Sequence, residues 1–267
     1  MTEEGTENAP LPAGDEQLPA LEVRGLRKAF GDVVAVTRVD LTVPSGSFFG
    51  LVGPNGAGKT TSLSMAVGLL RPDAGAARVF GVDVWADPVR AKTMLGVLPD
   101  GLAMPERLTG REMLTYLGLL HGLEATVVAA RADELLTVME LDGAERTLVG
   151  NYSAGMRKKI GLATALLHGP RLLVLDEPFE AVDPVSSMTI KAILQQFVRR
   201  GGSVVVSSHS MALVELLCDQ VAVIAAGRTV AEGTLDEVRD GASLEDAFVR
   251  LVGASSPGEQ GLSWLAF

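Results

Sequence analysis

The 267-residue chain is 47% hydrophobic and 21% charged, with a formal net charge of −10. That composition is ordinary for a globular protein with a sizeable core. The acidic balance argues against a general nucleic-acid binder or a protein that adheres to anionic lipid, since both need a basic face.

Residues 1–20, MTEEGTENAPLPAGDEQLPA, are acidic and rich in Pro and Gly. They lack the basic start and apolar centre of a signal peptide and read as a disordered tail. No apolar run approaches the ~20 residues that cross a bilayer, so no direct membrane insertion is expected. The single cysteine, Cys218, lies in an apolar run and reads as a small buried hydrophobe. His121, His168 and His209 show no metal-ligand spacing.

From Leu21 the pattern is strand-like: LEVRGLRKAF, then VVAVTRVDLTV. SGSFFGLV is a short apolar run bounded by glycine, a candidate buried strand. It leads into GPNGAGKTT, residues 53–61, which fits G-x-x-x-x-G-K-[ST]. Gly53, Pro54, Asn55, Gly56, Ala57 and Gly58 form a loop whose backbone N–H groups can turn inward on phosphate oxygens. Lys59 reaches the β- and γ-phosphates, Thr60 offers a hydroxyl to Mg²⁺, and Thr61 follows it into a helix over about 59–70. The apolar strand before and the helix after are the context this loop requires, because the helix dipole then faces the anion. A nucleotide with Mg²⁺ is the expected ligand.

The middle of the chain, about 88–166, is helical in pattern, with Thr109 and Glu112 placed as an N-cap and its acidic first turn. Met104 and Leu108, beside Pro105, read as an exposed apolar contact or as core. YSAGMRKKI, residues 152–160, sets Ser153, Ala154 and Gly155 ahead of a helix, offering a hydroxyl and free N–H groups to an anion. Arg157, Lys158 and Lys159 read as a solvated helix face.

Strands then return. RLLVLDEP, residues 171–178, ends an apolar strand on two acids. Beside a phosphate loop, Asp176 fits a Mg²⁺ ligand and Glu177 a group that polarises the attacking water, the pair alternating sides of the strand. His209 ends SVVVSSH, where ligands collect in an open α/β sheet, and is placed to reach the γ-phosphate. VAVIAAGRTVAEG reads as a hairpin turning at Ala226-Gly227. The order, strand-rich then helical then strand-rich, predicts an α/β fold with a mixed sheet and an inserted α-helical subdomain.

These motifs, in this order over about residues 21–253, resemble the nucleotide-binding subunit of ATP-binding cassette (ABC) transporters. GPNGAGKTT resembles the family's Walker A and RLLVLDEP its Walker B, with Glu177 as the catalytic acid. YSAGMRKKI stands where the family carries Leu-Ser-Gly-Gly-Gln; Ser153 and Gly155 match it, while Tyr152, Ala154 and Met156 depart. EAVDP resembles the D-loop, with Asp183 in the matching place, and SSH supplies the switch histidine, His209. Phe30 falls where the family stacks an aromatic on adenine. GVLPD, residues 96–100, offers Asp100 where the family usually has Gln. There it would contact Mg²⁺ or water while adding negative charge, and Ala154 would be costly if its position needs positive φ.

The resemblance implies a homodimer, or a pair with a similar subunit, closing around two ATP molecules. Ser153, Ala154 and Gly155 of one chain would hold the γ-phosphate bound to the other. It further implies a separate transmembrane permease and a cytoplasmic location on the inner face of the membrane through that permease. ERLTGRE, Tyr-Ser-x-Gly-Met and the C-terminal LEDAF resemble an exporter branch whose permease is a separate chain. Two other roles stay compatible with the motifs: a soluble ABC-type ATPase outside transport, and a regulatory cassette with weak hydrolysis. The tail 254–267 lies outside the resemblance.

Overall fold

The computed structural model describes residues 18–101, 103–144 and 146–253. The expected tail 254–267 and most of the expected tail 1–20 lie outside the described residues. Leu18–Ala20 do not behave as tail. Ala20 is fully buried and its N–H donates to the Val43 carbonyl at 2.8 Å, while the Ser45 hydroxyl donates to the Leu18 carbonyl at 2.6 Å.

The chain opens with an antiparallel pair, β1 (Leu21–Phe30) and β2 (Val33–Val43), followed by β3 (Phe48–Val52) and α1 (Lys59–Ala66). β4 (Ala74–Val79), β5 (Val82–Asp83), α2 (Pro88–Thr93) and β6 (Leu95–Leu98) come next. Then α3 (Gly110–Leu120), α4 (Ala125–Val138) and α5 (Ala154–Leu166) run in succession. β7 (Leu172–Leu175), α6 (Pro184–Arg199), β8 (Ser203–Ser208), α7 (Met211–Leu217), β9 (Gln220–Ala225) and β10 (Arg228–Thr234) complete the sheet region. α8 (Leu235–Arg239) and α9 (Leu244–Val252) close the described chain.

Among the described residues, ten strands join in the order β5-β4-β1-β2-β10-β9-β3-β8-β7-β6. β5, β4, β1 and β2 are antiparallel; β9, β3, β8, β7 and β6 are parallel. The sheet is therefore mixed, as expected. β6 lies inside the stretch expected to be helical. Four apolar residues are too few to separate a buried strand from a helix by pattern; β6 follows the short α2 and precedes the longer helices α3, α4 and α5.

The parallel strands are buried on both faces, and their period of two divides them between two cores. Phe48 and Val52 of β3, Leu173 and Leu175 of β7, and Val204 and Val206 of β8 pack on one side with Leu114 and Leu136 of the helical region. Phe49 and Leu51, Leu172 and Val174, and Val205 pack on the other side with Leu63 and Met65 of α1. Each fully buried side chain of this size contributes about 1.5–3 kcal/mol before chain entropy is subtracted.

α3 begins on a capping box: the Thr109 hydroxyl accepts from the Glu112 N–H while the Glu112 carboxylate accepts from the Thr109 N–H. Met104 and Leu108 are partly buried and pack against the core, the second of the two readings. The last hairpin turns at Ala226 (φ 47°) and Gly227 (φ 70°), the left-handed pair that a two-residue turn demands.

Candidate functional site

Phosphate loops work because a strand stops, the chain curls, and a helix starts over the curl. Here β3 stops at Val52 and α1 starts at Lys59. Two glycines between them have no substitute. A Cβ on Gly53 would lie 2.2 Å from the Ile224 carbonyl oxygen, and Gly58 caps α1 at φ 101° with the Ala35 carbonyl oxygen 2.8 Å from its Cβ position. The loop thus leans on β9 and β2, leaving its other side open.

That open side is a cavity of about 390 Å³. Asn55, Gly56, Ala57, Gly58, Lys59, Thr60 and Thr61 form one wall, and Asp100, Glu177, Glu180 and His209 the other, with Ala35 at the edge. Residues from four distant stretches meet because β3, β6, β7 and β8 are adjacent parallel strands whose carboxyl ends open on the same side.

Lys59 is buried, 6% exposed, and its ammonium donates to the Gly53 and Pro54 carbonyls at 2.8 and 3.3 Å, with Glu177 Oε1 3.8 Å away. A buried cation held this way is already desolvated and is ready to exchange carbonyl partners for phosphate oxygens. Asp176 is 4% exposed; its N–H donates to the Leu98 carbonyl at 2.8 Å and its Oδ1 accepts from the Ser207 hydroxyl.

Glu177 departs from the expected strand alternation. β7 ends at Leu175, and Glu177 takes a left-handed backbone with φ 45°. Its N–H donates to Ser207 Oγ at 2.9 Å and its carbonyl accepts from Lys158 Nζ at 2.8 Å. Its carboxylate meets His209, with Oε2 3.1 Å from Nδ1. Backbone reversal, not strand pleat, separates the directions of the two acids. A non-glycine residue in this region is uncommon and marks functional sites more often than others.

Ser153, Ala154 and Gly155 do not line this cavity. Ser153 caps α5 by accepting from the Met156 N–H at 3.2 Å. Ala154 is the first residue of α5 with ordinary helical φ, so its methyl group carries no backbone penalty. Gly155 faces the D-loop: a Cβ there would lie 2.7 Å from Asp183 Oδ2. Asp183 caps α6, and the Ser186 N–H it accepts holds its carboxyl below the usual range. Phe30 is 51% exposed at the end of β1, outside the core and outside the cavity lining, with Lys28 Nζ 5.7 Å from its ring centre.

Three features escaped the sequence reading. The 157–159 run is not a solvated face. Lys159 is 5% exposed and pairs with Glu140 at 2.8 Å, Arg157 donates to the Gly150 and Tyr152 carbonyls, and Lys158 reaches Glu177 and, at 3.5 Å, Asp100. Ser207, next to the acids it holds, gave no pattern signal. His121 and His168, far apart in sequence, meet in the fold: their rings stack at 4.2 Å and 3°, and burial, with His121 alongside, pushes His168 down to about 4. Cys218 is buried as expected, which drives its thiol pKa upward.

A magnesium ion with ATP suits this donor set. Among the described residues no three His, Cys, Asp or Glu side chains gather into a self-sufficient metal centre. One carboxylate and one hydroxyl beside a phosphate loop are the oxygen donors Mg²⁺ takes when phosphates supply the others.

Known proteins match this arrangement. The family model described as ABC transporter matches residues 36–180. The daunorubicin/doxorubicin resistance ATP-binding protein DrrA of Streptomyces peucetius is 38% identical over 240 residues, 90% of this chain and 73% of its own. The Nod factor export ATP-binding protein I of Rhizobium sp. (strain N33) is 37% identical over 215 residues, 80% of this chain and 71% of its own. The solved structure of an ATP-binding subunit of an ABC transporter superposes with a TM-score of 0.80 at 29% identity, covering 87% of this chain and 99% of that one. A dimeric ATP-binding cassette in a post-hydrolysis state with ADP and Pi shares the fold, with a TM-score of 0.74 at 21% identity over 80% of this chain and 98% of that one. With the family model spanning more than half of the chain and such relatives matched over most of their length, this chain belongs to the ABC transporter family as an ATP-binding subunit.

Proposed function

We propose that this subunit hydrolyses ATP with Mg²⁺ between two copies of itself and so drives a separate permease in export. The observation that carries the reading is the convergence of Lys59, Thr60, Glu177 and His209 on one cavity. Bound Mg²⁺ would supply positive charge against the negative charge that develops on the phosphate oxygens. Thr60 and Asp176 are its protein-side donors, with Asp100 close enough to the cavity to reach it through water. Lys59 holds the phosphates. Glu177 accepts a proton from the attacking water and orients it, and His209, hydrogen-bonded to Glu177, steadies that carboxylate and faces the γ-phosphate. Phe30, exposed rather than buried, stacks on adenine.

One chain carries one phosphate loop and one signature segment, and the signature does not line its own cavity. Ser153, Ala154 and Gly155 therefore act on the nucleotide of the second copy, and Asp183, against Gly155, transmits that contact. The helices between β6 and β7 form the unit that moves against the sheet. ATP favours the closed dimer because it binds both halves only there; hydrolysis removes that preference. Two relatives are named for drug resistance and Nod factor export, which supports export as the direction. Among the described residues no helix is long and apolar enough to cross a membrane; the place on the cytoplasmic face through the permease follows from the kinship with transporter ATP-binding subunits.

Purification from native cells in mild detergent tests the reading. A multi-span membrane protein should co-purify in stoichiometric amount, and ATP turnover should vanish with Glu177→Gln. Soluble partners alone would reject the transport role.

A further inference from the structure

We propose that Lys158 is a positioning residue for hydrolysis: it holds the left-handed turn that aims the Glu177 carboxylate into the nucleotide cavity and links that turn to the helical unit. The inference rests on the reading of Glu177 as the group that polarises water.

Glu177 sits in a conformation that persists only when its surroundings hold it. Two anchors grip its backbone from different bodies. Ser207, on β8 in the core sheet, accepts the Glu177 N–H at 2.9 Å. Lys158, on α5 in the helical unit, donates to the Glu177 carbonyl at 2.8 Å. The side chain between these anchors ends 3.1 Å from His209 and 3.8 Å from Lys59. A tilt of α5 therefore pulls on one end of the Glu177 residue while the sheet holds the other.

Lys158 is well placed and well held. Its side chain is 17% exposed, and its ammonium also stands 3.5 Å from Asp100 Oδ1. Asp100 lines the cavity with Glu177 and Glu180, so three carboxylates face a polyanionic ligand. Lys158 supplies positive charge at that wall, and its attraction to Asp100 keeps the ammonium at the Glu177 carbonyl. Asp100, Lys158 and Glu177 thus form one bracket joining the end of β6, the signature helix and the hydrolytic turn.

The test compares Lys158→Met, which keeps the aliphatic stem and loses the ammonium, with Lys158→Arg and Glu177→Gln. The full chain is assayed, with its co-purifying membrane subunit where one is present. Lys158→Met should lower kcat about tenfold or more through misplacement of Glu177, while KM and the affinity for a fluorescent ATP analogue change less than about twofold. Lys158→Arg should regain most of the rate. In the Glu177→Gln background, Lys158→Met should lower turnover no further, because the two act as a unit. Wild-type kcat in Lys158→Met, or a full additional loss in the double variant, overturns the role of Lys158 while leaving that of Glu177 intact. Wild-type turnover in Glu177→Gln overturns the underlying reading instead. Should Lys158→Met lose its thermal transition, Lys158→Gln and Lys158→Arg decide: a slow Gln variant beside an active Arg variant supports the bracket, and equal rates reject it.

Discussion

His209 and Glu177 meet across the ends of two neighbouring strands, Nδ1 3.1 Å from Oε2. His209 is half exposed whereas the Glu177 side chain is 12% exposed. The partly exposed ring therefore steadies a more enclosed carboxylate, and the two should fail differently. Glu177→Gln removes the proton acceptor: turnover should fall about 100-fold or more, ATP binding should persist, and an ATP-bound dimer should accumulate on gel filtration. His209→Ala leaves the acceptor in place and should cost less than Glu177→Gln in the same phosphate-release assay.

Lys59→Ala should fail at an earlier step. The buried ammonium is the only cation within the loop wall of the cavity, and its removal should weaken a fluorescent ATP analogue by roughly tenfold or more, as expected for loss of a charge-assisted contact. Unchanged affinity in a titration would remove Lys59 from phosphate recognition.

Gly53→Ala adds one carbon where 2.2 Å separates its position from the Ile224 carbonyl oxygen. The loop must shift to accept it. Nucleotide affinity should drop while the circular dichroism spectrum stays that of the parent, because the strain falls on the loop rather than on the sheet. The costs of such overpacking are about 1–3 kcal/mol, readable as a lower melting temperature.

His168 makes stability depend on pH in the mildly acidic range. Its folded pKa, about 4, lies below the ordinary histidine value of 6.5, through burial first and the neighbouring His121 second. The unfolded chain binds the proton first as pH falls. Stability is therefore full above about 6.5 and is lost as pH drops toward 4. A shift of this size is worth at most about 3 kcal/mol, reduced by the solvent His168 still meets. Melting temperatures from pH 7.5 to 5 should fall, and His168→Gln should flatten the decline.

Much of the fold was readable because its signals are local. The phosphate loop, the Thr109 cap and the Ala226-Gly227 turn are each set by a few adjacent residues. The apolar runs of β3, β7 and β8 mark strands buried on both faces. What stayed hidden depends on distant residues meeting. Nothing in RKK announces that Lys159 is buried against Glu140 or that Lys158 lies under Glu177. The left-handed turn at Glu177 is equally silent, since it is held by contacts from β8 and α5 and not by its own side chain. β6 was lost among helices because four residues carry no period.

The hairpin turn at Gly227 does more than reverse the chain. Its carbonyl accepts from the Thr37 and Arg38 N–H groups at 2.8 and 3.1 Å, and its own N–H donates to the Ala57 carbonyl, inside the phosphate loop, at 3.0 Å. Ile224, just before it, backs Gly53. The loop is synthesised early, yet the surface it rests on is synthesised late. On the ribosome, a nascent chain that has exposed the whole of GPNGAGKTT still lacks the strand that shapes it. The loop therefore takes its final shape only once β9 and the Gly227 turn have emerged and packed against it.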